Sequence, residues 1–250
     1  MLNLYPFILL NTLCLSFIYI GWAGFLDLLF RLYPHPHRYR SYKTNKRYNN
    51  DSRIEEEEED EERERKEERK EQEQEEDKAK YVYWPFILTN LFILHPFLAI
   101  LLYPYFENSF YTDCLSFVFL YELFQISILY DFTFYFTHRS CHESILLYRY
   151  IHRFHHRHII TRALNTLDTH PFEHAFVNLS PIVIATCFLS VSWNSIVVFV
   201  IMGAIISVHS HSGQKYISFA GHDLHHRCRN CEYGVVFTDW IFNTNRRDLN

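Results

Sequence analysis

The chain carries apolar runs long enough to cross a bilayer, and this restricts what its backbone can do. Leu4 to Phe30 is apolar apart from small polar residues and Asp27. A stretch of about 20 such residues spans a hydrocarbon core of ~30 Å. Inside lipid every backbone N–H and C=O must be bonded within the protein, which favours helix over any open structure. Residues 82–106 and 114–136 are two further runs of spanning length. Residues 179–191 and 195–208 form a shorter pair, split by Trp193 and Asn194, each of about 13 residues. Their length predicts a tilted or dipping hairpin rather than two full crossings. The fold class expected is an all-α, multi-pass helical bundle in a membrane. The first run lacks the basic start and small-residue cleavage site of a signal peptide, so it reads as a retained helix.

Charge divides the chain into three parts. Residues 1–47 are an anchor followed by a basic exit, with Arg31, Arg38, Arg40, Lys43, Lys46 and Arg47 and no acid after Asp27. The positive-inside rule puts this exit, and whatever shares its membrane side, in the cytosol. Residues 48–80 are a low-complexity insert; within 51–80 there are 17 acids against 8 bases. Nothing there can bury apolar surface, so it reads as disordered or as a solvated helix, with partner binding as the lesser alternative. The formal charge of −5 comes from this segment alone. Residues 81–250 hold everything that carries chemistry. Glu122 and Asp131 lie within an apolar run and are expected to face protein rather than lipid. Six scattered cysteines make no disulfide framework, and Cys228-x-x-Cys231 lacks the second pair of a zinc knuckle.

Histidine is the unusual residue. Of sixteen, thirteen fall between His138 and His226. They form His138-x-x-x-His142, His152-x-x-His155-His156 and His222-x-x-His225-His226, with His170 and His174 between the second and third clusters and His209 and His211 just before the third. At helical spacing, i and i+4 stack on one face; the i+3 position is rotated away and suits a neighbouring ion. Eight to ten imidazoles are too many for one ion, and two ions sharing them is the economical count. His35, His37, His95 and His158 stand apart and read as ordinary core or surface residues. The two crossings 82–106 and 114–136, and the pair 179–191 and 195–208 with both ends on one side, bring all clusters to one side of the membrane, as a composite site requires. Other chemistries lack support: no Glu-x-x-His pairs of a carboxylate di-iron bundle, no H-E-x-x-H, no G-x-S-x-G, no phosphate loop and nothing suited to nucleic acid.

These boxes and the text between them resemble the fatty acid hydroxylase and sterol desaturase superfamily. Asp131-Phe-Thr-Phe-Tyr-Phe-Thr-His138 is similar to the helix entering its first box. Leu147 to His156 resembles its Tyr-x-x-Ile-His-x-x-His-His run, and His170-Pro-Phe-Glu173 its His-Pro-x-Glu. His211-Ser-Gly and Asp239-Trp-Ile-Phe-Asn-Thr244 also have counterparts. The motifs look most like the fatty acid hydroxylase domain-containing and 4-methyl sterol oxidase-like members, over roughly residues 82–246. Gln214 stands where the family prefers Tyr, the stretch from His211 to His222 is short, and the acidic insert has no counterpart.

The resemblance implies an iron- and dioxygen-dependent oxidoreductase of the endoplasmic reticulum membrane, with its boxes facing the cytosol. Two iron ions would be held by His138, His142, His152, His155, His156, His222, His225 and His226, with His170 and His211 added. Ligating imidazoles usually donate their second N–H to a carboxylate or carbonyl. Glu173, Asp131, Asp223 and Asp239 are the acids expected to serve, and Glu173 first because it follows His170 by one helical turn. Electrons would arrive from NAD(P)H through a reductase and a microsomal b-type cytochrome. No protein general base or nucleophile is expected beyond the metal ligands. A sterol is the leading substrate expectation, an acyl chain or sphingoid base the second, and a catalytically silent metal-bound regulator the third.

Overall fold

The computed structural model describes residues 4–32, 81–107, 116–212 and 222–245. Every element among them is helical. The basic exit beyond Leu32, the acidic insert and Gln214 lie outside the described residues.

Four helices are long and apolar enough to cross a membrane: Ile8–Leu29, Trp84–Tyr105, Phe117–Glu143 and Trp193–Ser210. Their outer faces carry large exposed apolar side chains, among them Leu9, Leu13, Phe17, Phe92, Phe97 and Phe124. An apolar exterior on this scale is what a lipid-solvated bundle presents and what a water-solvated one avoids. The inner faces interlock. Leu15, Ile18 and Leu26 of the first span pack with Ile87, Leu91, Ala204 and Val208. Ile126 packs with Leu102, Ile182, Ala185 and Ile196. Small residues such as Ala23, Ala185 and Ala204 let the backbones approach closely.

The second apolar pair differs from the expected hairpin in one respect. Trp193 and Asn194 do not separate its halves; they begin the helix Trp193–Ser210, which is 18 residues long. The turn lies earlier, at Leu189–Ser192, where Leu189 and Ser192 have extended backbone. Ser192 and Ser195 both donate to the buried Glu122 carboxylate, and this fastening sets the turn. Glu122 and Asp131, 3% and 0% exposed, face protein as expected.

The connection between Ile151 and His170 closes over one end of the bundle. Arg162 donates through Nε to Asp27 Oδ1 of the first span at 2.6 Å, and through Nη2 to Oδ2. Losing one partner of a buried pair like this costs about 3–5 kcal/mol. Asp168 accepts from the Tyr83 N–H, 3.0 Å away at the start of the second span, and from Arg157 and His158. Asn90 of the same span donates to the carbonyls of Leu167 and Thr169. Helix Phe117–Glu143 ends at this same cap with His138 and His142, and Trp193–Ser210 runs into His211. Thus the three histidine boxes, far apart in sequence, are gathered at one end.

Candidate metal centre

Two groups of imidazoles face each other there. His138, His142, His152, His156 and His225 form one; His155, His211, His222 and His226 form the other. In each group the ligand atoms lie within 4.8 Å of one another. The partition follows helical geometry. In an α-helix, positions i and i+4 diverge by only about 40°, whereas i+3 and i+4 diverge by about 100°. Accordingly His222 and His226 stay together and His225 crosses to the other group. His152 and His156 also stay together and His155 crosses the opposite way, although their 3-10 turn does not by itself require that division. The second and third boxes therefore interlock, each lending one ring to the group that the other mainly builds. The second box is not one regular helix: His152–Phe154 is a 3-10 turn followed by His155 and His156.

The ring nitrogens show why these groups suit cations. His138 Nδ1 lies 2.7 Å from the Tyr233 carbonyl, His225 Nδ1 2.6 Å from the Cys231 carbonyl and His211 Nδ1 2.8 Å from the Ser207 carbonyl. A carbonyl only accepts, so each Nδ1 carries the proton and each Nε2 presents a lone pair. Around them the Nε2 atoms of the other rings crowd together. In the first group His142 Nε2 lies 2.6 Å from His152 Nε2 and 3.0 Å from His225 Nε2, and His156 Nε2 is 3.0 Å from His225 Nε2. In the second, His155 Nε2 lies 3.2 Å from His222 Nε2 and 3.1 Å from His226 Nε2. Rings protonated on Nδ1 repel in this arrangement unless a cation sits among them. The chemistry of the donor set thus fits two metal ions, one per group.

Protonation points the same way. Burial, and after it the neighbouring imidazoles, hold His155, His156, His222 and His226 well below the ordinary histidine range. Burial pushes His225 down to about 3 and His211 to about 4, against the upward pull of their carbonyl partners. Neutral imidazole is the form that binds metal.

The four expected acids take different places. Glu173 Oε1 lies 2.9 Å from His152 Nδ1, near enough for its charge to act, although the N–H is not aligned for a full hydrogen bond. Its partner is therefore His152, not His170. His170 joins neither group: its Nδ1 accepts from the Phe172 N–H as a cap, and its ring sits against Phe86 and Phe154. Pro171 opens a new helix there, and the cap needs the ring. Asp131 touches no imidazole. It accepts the N–H groups of Val235, Val236, Phe237 and Thr238 at 2.8–3.0 Å. Asp239 accepts from Tyr233 N and Gly234 N. Together they fix the loop whose Tyr233 carbonyl holds His138, and so act one residue removed from the rings. Asp223 accepts from Arg227 Nη2 at 3.0 Å.

Three features were not legible in the sequence. The backbone carbonyls of Cys231 and Tyr233 hold rings, and no side-chain motif announces a carbonyl. Cys228 and Cys231 are joined as a disulfide rather than free. Gly234 sits where a Cβ would meet Thr238 Oγ1 at 2.1 Å and Asp239 Oδ2 at 3.0 Å, so only glycine fits. His95 and His174 pair with each other inside the bundle.

Beneath the imidazoles lies a cavity of about 260 Å³. His138, His155, His211 and His222 form its roof, and Leu98, Leu102, Ile182, Ile196 and Phe199 of the spans form its walls. An apolar chamber reaching from the candidate metal groups into the membrane-spanning region can admit a lipid and exclude water.

A model of the fatty acid hydroxylase family matches residues 123–244, which hold every imidazole of both groups. Fatty acid hydroxylase domain-containing protein 2 of Homo sapiens is 31% identical over 121 residues, 47% of this chain and 36% of that protein. Fatty acid hydroxylase ahd1 of Mycosarcoma maydis is 35% identical over 121 residues, 46% of this chain and 31% of that protein. Very-long-chain aldehyde decarbonylase GL1-11 of Oryza sativa subsp. indica is 28% identical over 138 residues, 48% of this chain and 50% of that protein. The matched region thus spans from about a third to a half of these relatives. No solved structure matches. Residues 123–244, just under half of the chain, thus carry its likeness to the fatty acid hydroxylase family.

Proposed function

We propose that this chain is a membrane di-iron oxygenase that uses dioxygen to hydroxylate or oxidise a C–H bond of a lipid, a sterol first among the candidates. The observation that carries the reading is the convergence of two sets of imidazole nitrogens at the roof of an apolar cavity. His138, His142, His152, His156 and His225 would hold one iron, and His155, His211, His222 and His226 the other. Iron bound there would supply dioxygen activation and hydrogen abstraction from an unactivated carbon, chemistry that no side chain can perform alone. The chain itself does three things. Carbonyls of Tyr233, Cys231 and Ser207 hold the rings in one tautomer. Glu173 offsets cationic charge beside His152. The apolar walls align the lipid and keep water away from the reacting carbon.

The membrane would be that of the endoplasmic reticulum, with the cap in the cytosol because residues 31–47 are basic. Electrons would enter on that side, from NAD(P)H through a reductase and a b-type cytochrome. An acyl or aldehyde substrate is the second reading, favoured by the names of the fungal and rice relatives. In cells whose own copy is replaced by the His155→Ala or His226→Ala variant, a methyl-sterol should accumulate with 2-hydroxylated fatty acids unchanged. Accumulation of unhydroxylated sphingolipids would select the acyl reading instead. Purified wild type should carry two metal ions per chain, and one or none after anaerobic iron loading would sink the di-iron reading.

A further inference from the structure

The cavity contains a second polar station that the candidate metal groups do not explain. Three π-helical turns meet at it. Tyr19 lies in the turn Phe17–Trp22, His95 directly follows Asn90–Leu94, and His174 and Asn178 both lie in His174–Leu179. Such turns weaken helix hydrogen bonding and occur mainly where function needs them. Two sit just ahead of a proline, Pro96 and Pro181, whose missing N–H leaves the preceding turn free to widen. The sequence thus builds three local distortions and aims them at one place.

All four side chains line the cavity. Asn178 Nδ2 lies 3.2 Å from His174 Nδ1, and His174 Nε2 lies 3.3 Å from His95 Nε2. The Tyr19 ring stacks on His95 with centroids 6.0 Å apart. His95 and His174 are 4% and 2% exposed. One polar atom at the end of this chain, His95 Nδ1, is buried without a hydrogen-bonding partner. Leaving a buried polar group unsatisfied costs about 1–3 kcal/mol, and in a membrane interior no bulk water relieves it.

The direction of the chain identifies what completes it. If the Asn178 amide donates to His174 Nδ1, the His174 proton sits on Nε2 and is donated to His95 Nε2. The proton of neutral His95 then lies on Nδ1, an unmet donor. If the Asn178 amide is turned round, every donor reverses and His95 Nδ1 offers an unmet lone pair. A hydroxyl, which both donates and accepts, satisfies either state. A carbonyl satisfies only the first, and a hydrocarbon neither.

We propose that His95, positioned by His174 and Asn178, binds the hydroxyl group of the lipid substrate and thereby sets which carbon lies under the imidazole groups. This rests on the reading above that the cavity holds the substrate. The hydroxyl is either that of a sterol or that of a long-chain alcohol or hydroxylated acyl lipid, and the test separates them.

The metal-loaded full-length protein in lipid nanodiscs is titrated with four probes: a sterol alcohol, its 3-deoxy hydrocarbon, a long-chain primary alcohol and its parent alkane. Wild type should prefer one alcohol over its deoxy partner by about tenfold or more, since a site built for a hydroxyl rejects the analogue lacking it. Which pair shows the preference names the source. His95→Phe should abolish the preference while metal content stays at the wild-type value. His95→Gln, whose amide donates and accepts, should restore part of it, which a merely space-filling role would not. If His95→Phe fails to fold, the smaller His95→Ala carries the same expectation. A preference that survives these substitutions, or a wild type that binds no probe or binds all four alike, overturns the proposal. A wild type with the preference but without two metal ions would leave this site standing and remove the oxygenase reading instead.

Discussion

Of the four acids expected beside the metal groups, Glu173 is the one that reaches an imidazole of either group, and its effect is testable in isolation. Glu173→Gln keeps the shape but removes the charge beside His152 Nδ1, 2.9 Å away. Metal affinity, read by competition with a chelator, should fall by about 10–100-fold, the usual cost of losing such a partner. An unchanged affinity would take Glu173 out of the site. Gly234 tests the loop rather than the rings. Gly234→Ala forces a methyl against Thr238 Oγ1 and the Asp239 carboxylate. It should lower the thermal midpoint of the metal-loaded protein in line with overpacking of about 1–3 kcal/mol, and an unchanged midpoint would mean the loop can yield. The two residues also mark what sequence can disclose at this scale. Glu173 was visible as an acid within a turn of a histidine, but the partner was misassigned because helix counting favoured His170. Gly234 was invisible, since its role depends on Asp131 closing from 104 residues away onto Val235.

At the scale of elements, the histidine boxes were legible because two spacings repeat in a chain that otherwise has little reason to bury imidazole. That the i+3 ring of each H-x-x-H-H box turns to a neighbouring group was legible as well; which boxes share each group was not, because that depends on how the second and third boxes interlock. The boundaries of the last hairpin were misplaced for a related reason. Trp193 and Asn194 look like an interruption, yet the actual turn is set by Ser192 and Ser195 reaching Glu122, a tertiary contact. The boxes as a unit also predict how the metal-stripped protein responds to acid. Unfolded imidazoles titrate near 6.5, whereas burial holds His211 at about 4 and His225 at about 3 in the fold. Below pH ~6.5 the unfolded chain therefore binds more protons than the folded one, so stability is full above that value and falls as pH drops toward 4. Chelator-treated protein in detergent should show a thermal midpoint that is level from pH 8 to 7 and declines steadily below 6.5. A midpoint that is flat or rises on acidification would show that the rings are already charged in the fold.

For the whole molecule, the gathering of the boxes at one end fixes a topology that sequence had only outlined. The spans Trp84–Tyr105 and Phe117–Glu143 leave from and return to the cap, and the connection between Phe188 and Trp193 lies at the far end. Arg162 and Asp27 tie the end of the first span to that same cap, so the described part of that span ends, at Leu32, on the histidine side. Under the function proposed above, the basic charge of residues 31–47 puts that side in the cytosol. Deleting the acidic run at 51–80 should leave metal content and turnover within a few-fold. The orientation can be read directly. If the cap is cytosolic as proposed, a glycosylation acceptor inserted near Asn108, between the second and third spans, should be modified in microsomes. One inserted near Lys215, between His211 and His222, should remain unmodified. The proposed electron delivery from the cytosol requires this pattern, since the donor would approach the cap and the lipid would enter laterally from the bilayer into the cavity beneath it. The reverse pattern, with Lys215 modified and Asn108 not, would place the imidazole groups in the lumen and remove the cytosolic reductase and b-type cytochrome from the scheme.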